Sequence, residues 1–269
     1  MTKTLPTVYT EYHALSADEP ARIAVITFNR PQARNALDLG AMRQFADLAA
    51  DLTAQCAAST DIRCVILTGA GDAAFCSGGD LAELSQYPTE ADALDFITLM
   101  GDALLALERL PVPVIAAING YALGGGSEIA TACDLRIVDQ AARMGFVQIS
   151  LALTPGWGAG QRLLRLVGYT KAMDILLRGE PMSGDALLEL GLVSRVAAQG
   201  QALHAALDDA RRIAAHSPEV VRAIKALLQA GLRQPYEQAL QTERDLFPAL
   251  WAAEPHLDAV QRFLERKRR

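Results

Sequence analysis

Apolar and polar positions follow two rhythms along this chain. Residues 22–28 form a short, largely β-branched apolar run that Asn29, Arg30 and Pro31 stop, which predicts a strand followed by a turn. From Leu39 to Leu52 the residues Leu39, Met42, Phe45, Leu48, Ala49 and Leu52 recur at helical spacing, with Arg43, Asp47 and Asp51 facing away, so a helix is expected there. Two further apolar runs, Cys64 to Thr68 and Val114 to Ile118, read as buried strands, ended by Gly69-Ala70-Gly71-Asp72 and by Asn119-Gly120. Between them Thr89 and Asp92 have the spacing of a capping box, opening a helix that runs to Leu110, where Pro111 and Pro113 end it. Strands alternating with helices imply parallel pairing through crossover connections, hence an α/β core.

Past residue 160 the pattern becomes mostly helical. Four or five helical stretches are expected, with one short strand candidate at Leu192 to Val196. Ser217 and Pro218 suit an N-cap and first helical position, and Val220, Val221, Ile224, Leu227 and Leu228 then form one apolar stripe. Neither a low-complexity linker nor a solenoid period interrupts the chain. The expected organisation is a core over residues 1–200 and a helical region over 201–269, within one family unit.

Composition narrows the function classes. The 269 residues are 51% hydrophobic and 21% charged, as in a folded enzyme, and the net charge of −6 argues against a protein built to grip nucleic acid. The basic end, Arg266 to Arg269, reads as a solvated tail. Glu11, Asp18 and Glu19 fall in the first twenty residues without the apolar core of roughly 7–15 residues of a signal peptide, and no run nears the roughly 18 apolar residues of a membrane span. A cytoplasmic location is therefore expected. Cys56, Cys64, Cys76 and Cys133 make no Cys-x-x-Cys pair, which suits reduced thiols and no metal site.

The candidate chemistry lies in two glycine loops. Phe75-Cys76-Ser77-Gly78-Gly79-Asp80 follows the second strand and leads into helical-looking Leu81 to Leu84. Tyr121-Ala122-Leu123-Gly124-Gly125-Gly126-Ser127-Glu128 follows the third and opens a helix expected to contain Ile129, Ala130, Cys133 and Leu135. Each loop alone also suits a tight turn. Together they end parallel strands on the same edge and could aim one backbone amide each at a single carbonyl oxygen, an oxyanion hole suited to thioester enolates.

These loops, with Asn29-Arg30-Pro31 through Asn35-Ala36-Leu37, Cys133-Asp134, Pro155-Gly156-Trp157-Gly158 and Gln161-Arg162-Leu163, resemble the crotonase superfamily, the enoyl-CoA hydratase/isomerase family, over essentially the whole chain. The resemblance implies an α/β spiral core of repeated ββα units and a helical C-terminal trimerisation region, with homotrimers or dimers of trimers. It implies that the oxyanion donors are the amides of Gly79 and Gly125, and that the substrate is an acyl-CoA thioester, coenzyme A entering as part of it and no cofactor being held permanently. It places the coenzyme near Ala33, Arg34 and the first glycine loop at Ser77. A lid and a cation, Phe263 and Arg266, would come from a neighbouring subunit.

Hydratases of this family use two glutamates. Glu128 matches the first, but the position twenty residues on is Gln148, whose amide orients groups by hydrogen bonding and cannot take up a proton. Two-glutamate hydration is thus in doubt. Two single-carboxylate reactions remain open: isomerisation, in which Glu128 moves a proton between two carbons, and loss of carbon dioxide from a malonyl-type thioester, in which the oxyanion hole holds the enolate and no water need be activated. Phe146-Val147, Pro155 and Trp157-Gly158 resemble the ethylmalonyl-CoA decarboxylase branch, although Trp157 also suits a core position.

Rival readings are weaker. Gly69-x-Gly71-x-x-Ala74 follows a strand as a dinucleotide fingerprint does, but the next helix is missing. No Gly-x-Ser-x-Gly occurs, and His13, His204, His216 and His256 lie far in sequence from Ser77 and Ser127. Cys76 reads as a buried structural thiol. A non-catalytic acyl-CoA binder is the remaining alternative.

Overall fold

The computed structural model describes residues 5–16 and 20–267; Asp18, Glu19, Arg268 and Arg269, used above for the leader and tail expectations, lie outside them. The first half of the chain forms β1 (Val8–Ala14), β2 (Arg22–Phe28), α1 (Leu39–Ala58), β3 (Ile62–Gly69), β4 (Ala74–Cys76), α2 (Leu81–Leu84) and α3 (Glu90–Glu108). It continues through β5 (Val114–Ile118), β6 (Tyr121–Leu123), α4 (Gly125–Ala132), β7 (Leu135–Asp139) and β8 (Arg143–Gly145). Then come α5 (Ala159–Val167), α6 (Tyr169–Arg178), β9 (Met182–Ser183), α7 (Gly184–Glu189), β10 (Arg195–Ala197) and α8 (Ala202–Ala214). The chain closes with α9 (Pro218–Arg233), α10 (Tyr236–Trp251) and α11 (Glu254–Lys267).

Two sheets organise the core. The larger has the order β1-β2-β3-β5-β7-β10, parallel except for β1, which runs antiparallel to β2. The smaller has the order β4-β6-β8-β9. Chain order explains the pairing: β3–β4, β5–β6 and β7–β8 each place one strand in the large sheet and the next in the small one. Repeating this unit stacks successive turns of a spiral, the expected ββα architecture. The central strands are apolar almost throughout because both faces are covered, and in β3 every residue but Arg63 is buried. Phe28, Phe45 and Phe75 interlock beneath them, with ring centroids 5.6–5.7 Å apart.

The capping box forms as expected: Thr89 accepts the Asp92 N–H and the Asp92 side chain accepts the Thr89 N–H. Other expectations need correction. α4 stops at Ala132, because Cys133 turns to extended backbone and Leu135 enters β7, where the Arg136 guanidinium binds the Cys133 carbonyl at 2.6 Å. The strand expected at 192–196 occupies Arg195–Ala197, because Leu192 and Val193 instead return their amides to Leu187 at the end of α7. Seven α-helices, not four or five, follow β8 among the described residues. Ser217 precedes α9 but does not cap it; its hydroxyl turns to the Glu219 carboxylate at 2.6 Å.

The chain divides into two compact units, Met1–Arg211 and Arg212–Arg269, the division falling within α8. The second unit is helical, with Phe247 and Trp251 exposed and in ring contact at 5.7 Å.

Candidate active site

The two glycine loops leave adjacent strands, though not the strands the sequence suggested. Short β4 and β6 of the small sheet intervene after β3 and β5, and they pair in parallel, Ala74 with Tyr121 and Cys76 with Ala122. Their C-terminal ends therefore deliver Ser77–Gly79 and Gly124–Gly126 side by side. The contact is close enough to demand glycine. A Cβ at Gly126 would stand 1.9 Å from the Cys76 carbonyl oxygen, and one at Gly78 2.9 Å from the Gly125 nitrogen.

The two amides of interest are unengaged. Leu37 donates to the Gly78 carbonyl and accepts the Asp80 N–H, both at 2.8 Å, so the intervening Gly79 turns its own N–H to the opposite side. Gly125 is the first residue of α4, where helical geometry provides no acceptor. Neither N–H has a hydrogen-bond partner among the described residues.

The first loop is braced from residues 30–38. Arg30 bridges Asp80 at 2.9 Å and Asp38 at 3.3 Å and donates to the Ala36 carbonyl at 2.7 Å. Arg34 and Asn35 both adopt left-handed backbone, φ 52° and 56°, and buried Asn35 holds that turn by donating to the carbonyls of Ala70 and Ala74. The Arg34 carbonyl accepts the Ser77 N–H at 3.1 Å, so Ala33, Arg34, Ser77 and Gly79 come together. Arg34 is exposed. Phe263 and Arg266 are exposed on α11 and belong to the second unit.

Glu128, on the first turn of α4, is 2% exposed and its carboxylate is surrounded by donors. Oε1 accepts Gln148 Nε2 at 2.9 Å and the Gly156 N–H at 3.2 Å; Oε2 accepts the N–H groups of Trp157 at 2.7 Å and Ala159 at 3.1 Å. A carboxylate offers about four lone-pair sites, and here all are taken. Burial raises the Glu128 pKa above the usual carboxylate range, and the four hydrogen bonds pull it back in part. The structure brings together Glu128 and Gln148, which the family resemblance singled out, and adds three backbone donors that no side-chain motif encodes.

Trp157 is a core residue that also borders the candidate site. Its ring lies across Gly125, where an added Cβ would meet Cζ3 at 2.2 Å. It is 6% exposed. Its carbonyl accepts Arg162 Nη1 at 2.7 Å, and Arg162 pairs with Glu108 at 3.0 Å.

Other nucleophiles recede. Ser127 is fully buried, its hydroxyl 2.8 Å from the Ala122 and Gly145 carbonyls and accepting the Gly145 N–H. Burial pushes the Cys76 thiol up to about 12, against a Gly78 N–H bond that lowers it. The dinucleotide-like Gly69-x-Gly71 turn leads into strand β4 rather than a phosphate-binding helix. Among the described residues no group of three or more His, Cys, Asp or Glu could hold a metal ion, and no helix is long and apolar enough to cross a membrane.

The family model described as enoyl-CoA hydratase/isomerase matches residues 18–269. The chain belongs to the enoyl-CoA hydratase/isomerase family. Among its relatives, the short-chain-enoyl-CoA hydratase of Clostridium acetobutylicum is 33% identical over 96% of this chain and 97% of its own. The ethylmalonyl-CoA decarboxylase of Gallus gallus is 32% identical over 91% of this chain and 81% of its own. The crystal structure of an enoyl-CoA hydratase from Bacillus anthracis superposes with a TM-score of 0.88 at 31% identity, covering 97% of both chains. Both named relatives are enzymes, so the non-catalytic binder gains no support.

Proposed function

We propose that this family member decarboxylates a malonyl-type acyl-CoA thioester. The observation that carries the reading is the saturated Glu128 carboxylate: with four donors on its two oxygens, it can take a proton from water or substrate only by giving up one of those bonds, so a reaction that asks no proton transfer of it suits the site best. Decarboxylation needs none. The bond from the α-carbon to the departing carboxylate breaks, its electron pair flows to the thioester carbonyl, and the N–H groups of Gly79 and Gly125 hold the resulting oxyanion. Carbon dioxide leaves and the α-carbon is protonated from solvent. The Trp157 indole beside Gly125 offers an apolar wall, which favours neutral carbon dioxide over a charged carboxylate. The decarboxylase relative agrees with this choice.

Hydration is the second reading, favoured by the hydratase relative. It requires Glu128 to release a donor and a second group to manage the α-carbon proton, a task beyond the Gln148 amide. In either reading Ala33, Arg34 and Ser77 contact the coenzyme, with Phe263 and Arg266 supplied by a second copy in a homotrimer or a dimer of trimers in the cytoplasm.

The test is parallel incubation with crotonyl-CoA, a 3-enoyl-CoA, methylmalonyl-CoA and ethylmalonyl-CoA, with products followed by mass spectrometry. Loss of carbon dioxide from the malonyl-type substrates is the expected result. Hydration of crotonyl-CoA without decarboxylation would sink the proposal in favour of the second reading.

A further inference from the structure

Trp157 is fixed through its backbone from two sides. Its N–H goes to Glu128 Oε2 at 2.7 Å and its carbonyl accepts Arg162 Nη1 at 2.7 Å. Arg162 reaches it from the first turns of α5, and the same guanidinium uses Nε to bind Glu108 Oε2 at 3.0 Å, at the last residue of α3. The pair is largely sheltered, its side chains 10% and 21% exposed, and two other features keep the loop against it. Gly158 turns with φ +99°, and a Cβ there would stand 2.9 Å from Arg162 Nη1; a Cβ at Gly156 would stand 3.1 Å from Ile97 of α3. The loop that carries the indole onto Gly125 is thus held to α3 at both ends.

We infer that the Glu108–Arg162 pair is a positioning device that sets the Trp157 ring against Gly125 and so fixes the apolar wall beside the candidate oxyanion donor. A planar guanidinium can serve Glu108 and the Trp157 carbonyl at once from two edges, whereas an ammonium is a point charge on a flexible stem. Arg162→Lys is therefore not a neutral exchange. The inference rests on Trp157 and Gly125 bordering the reacting carbonyl, and its structural half holds whichever reaction the protein catalyses.

The experiment uses the full chain carrying Trp251→Phe, which leaves Trp157 as the single tryptophan of the two in the sequence. Glu108→Gln, Arg162→Lys and Arg162→Met are added singly. Acrylamide quenching and the emission maximum of Trp157 report its placement, and kcat and KM on ethylmalonyl-CoA report its consequence. The expected result is greater quenching and a red-shifted emission, most in Arg162→Met and least in Glu108→Gln. With it, kcat falls on the order of 10- to 100-fold, the scale of a displacement near 1 Å, while KM changes little. Parent-like quenching in both Glu108→Gln and Arg162→Met overturns the inference, as does a rise in KM with kcat intact. Should Arg162→Met fail to fold, Glu108→Gln decides, since it changes a partly accessible carboxylate by one atom. A parent that turns over no malonyl-type thioester refutes the decarboxylase reading alone; the fluorescence still decides whether the pair places the indole.

Discussion

Gln148 donates through Nε2 to Glu128 Oε1 at 2.9 Å, and the orientation of its amide follows from its neighbour. A carboxylate already accepting from the backbone of Gly156, Trp157 and Ala159 has no proton to return, so the Gln148 NH2 must face it. Gln148 Oε1 is then left buried without a partner among the described residues. Gln148→Glu would set two carboxylates in contact at this spot, and one would hold a proton into the neutral range. The pair's raised pKa adds stability below that value and loses it as pH rises through it. Urea unfolding should show Gln148→Glu losing stability relative to the parent from about pH 5 to about pH 8, between an ordinary carboxylate pKa and a strongly raised one. Crotonyl-CoA hydration should appear or increase in the same variant.

Glu128→Gln tests whether the first glutamate holds the loop or moves a proton. The replacement presents NH2 hydrogens to backbone N–H groups, leaving buried donors unpaired at about 1–3 kcal/mol each. A lower Tm is expected, with faster amide exchange at Gly156, Trp157 and Ala159 and loss of decarboxylation. If turnover vanished while exchange and Tm stayed at parent values, Glu128 would be a proton carrier and the reading of its role as a clamp would fail.

Sequence pattern made much of this legible, because long periodic segments and glycine loops express local physics. The run at residues 22–28, the helix from Leu39 and the Thr89–Asp92 box all appeared where local spacing put them. The three-residue strands β4, β6 and β8 were invisible, since their period is too short to register and their existence depends on stacking with one another. At the site, Glu128, Gln148 and the glycines were readable as residue types. The backbone donors of Gly156, Trp157 and Ala159 were not, because every residue carries an N–H and only the fold aims it. Arg30 was readable as part of a motif, but its bridge to Asp80, fifty positions on, was not.

The pH dependence of the parent carries the Glu128 signature. Its folded pKa lies above the unfolded value, so between the two the folded chain keeps a proton the unfolded chain has released, and this group's contribution to stability falls as pH rises. Catalysis runs the other way. Protonation removes an acceptor site and loosens the loop at Trp157, so decarboxylation should decline as pH falls through that same raised value. An acid limb of kcat lying above the usual carboxylate range is the expected profile; a flat profile there would count against the clamp.

Cys76 lies beside the first glycine loop yet should be chemically silent. With its thiol pushed up to about 12 and fully buried, alkylation of the native protein should be slow, and Cys76→Ser should keep activity on every substrate the parent turns over. Formation of a covalent acyl adduct at Cys76 on substrate addition, seen by intact-protein mass spectrometry, would contradict this.

Gly125→Ala probes the contact between the indole and the candidate oxyanion loop. The new methyl would sit 2.2–2.8 Å from three Trp157 ring atoms, so the ring must move or the first turn of α4 must shift. Overpacking of this kind costs about 1–3 kcal/mol. A shift of α4 would also re-aim the Gly125 N–H, so kcat should fall along with Tm. Trp157→Ala on its own opens a cavity and lowers stability by about 3–5 kcal/mol. In the double variant the alanine methyl occupies space the indole has vacated, so the combined loss of stability should be smaller than the sum of the single losses, with a coupling energy beyond about 0.5 kcal/mol. Additive losses in Tm and urea midpoint would mean that the two residues do not press on one another.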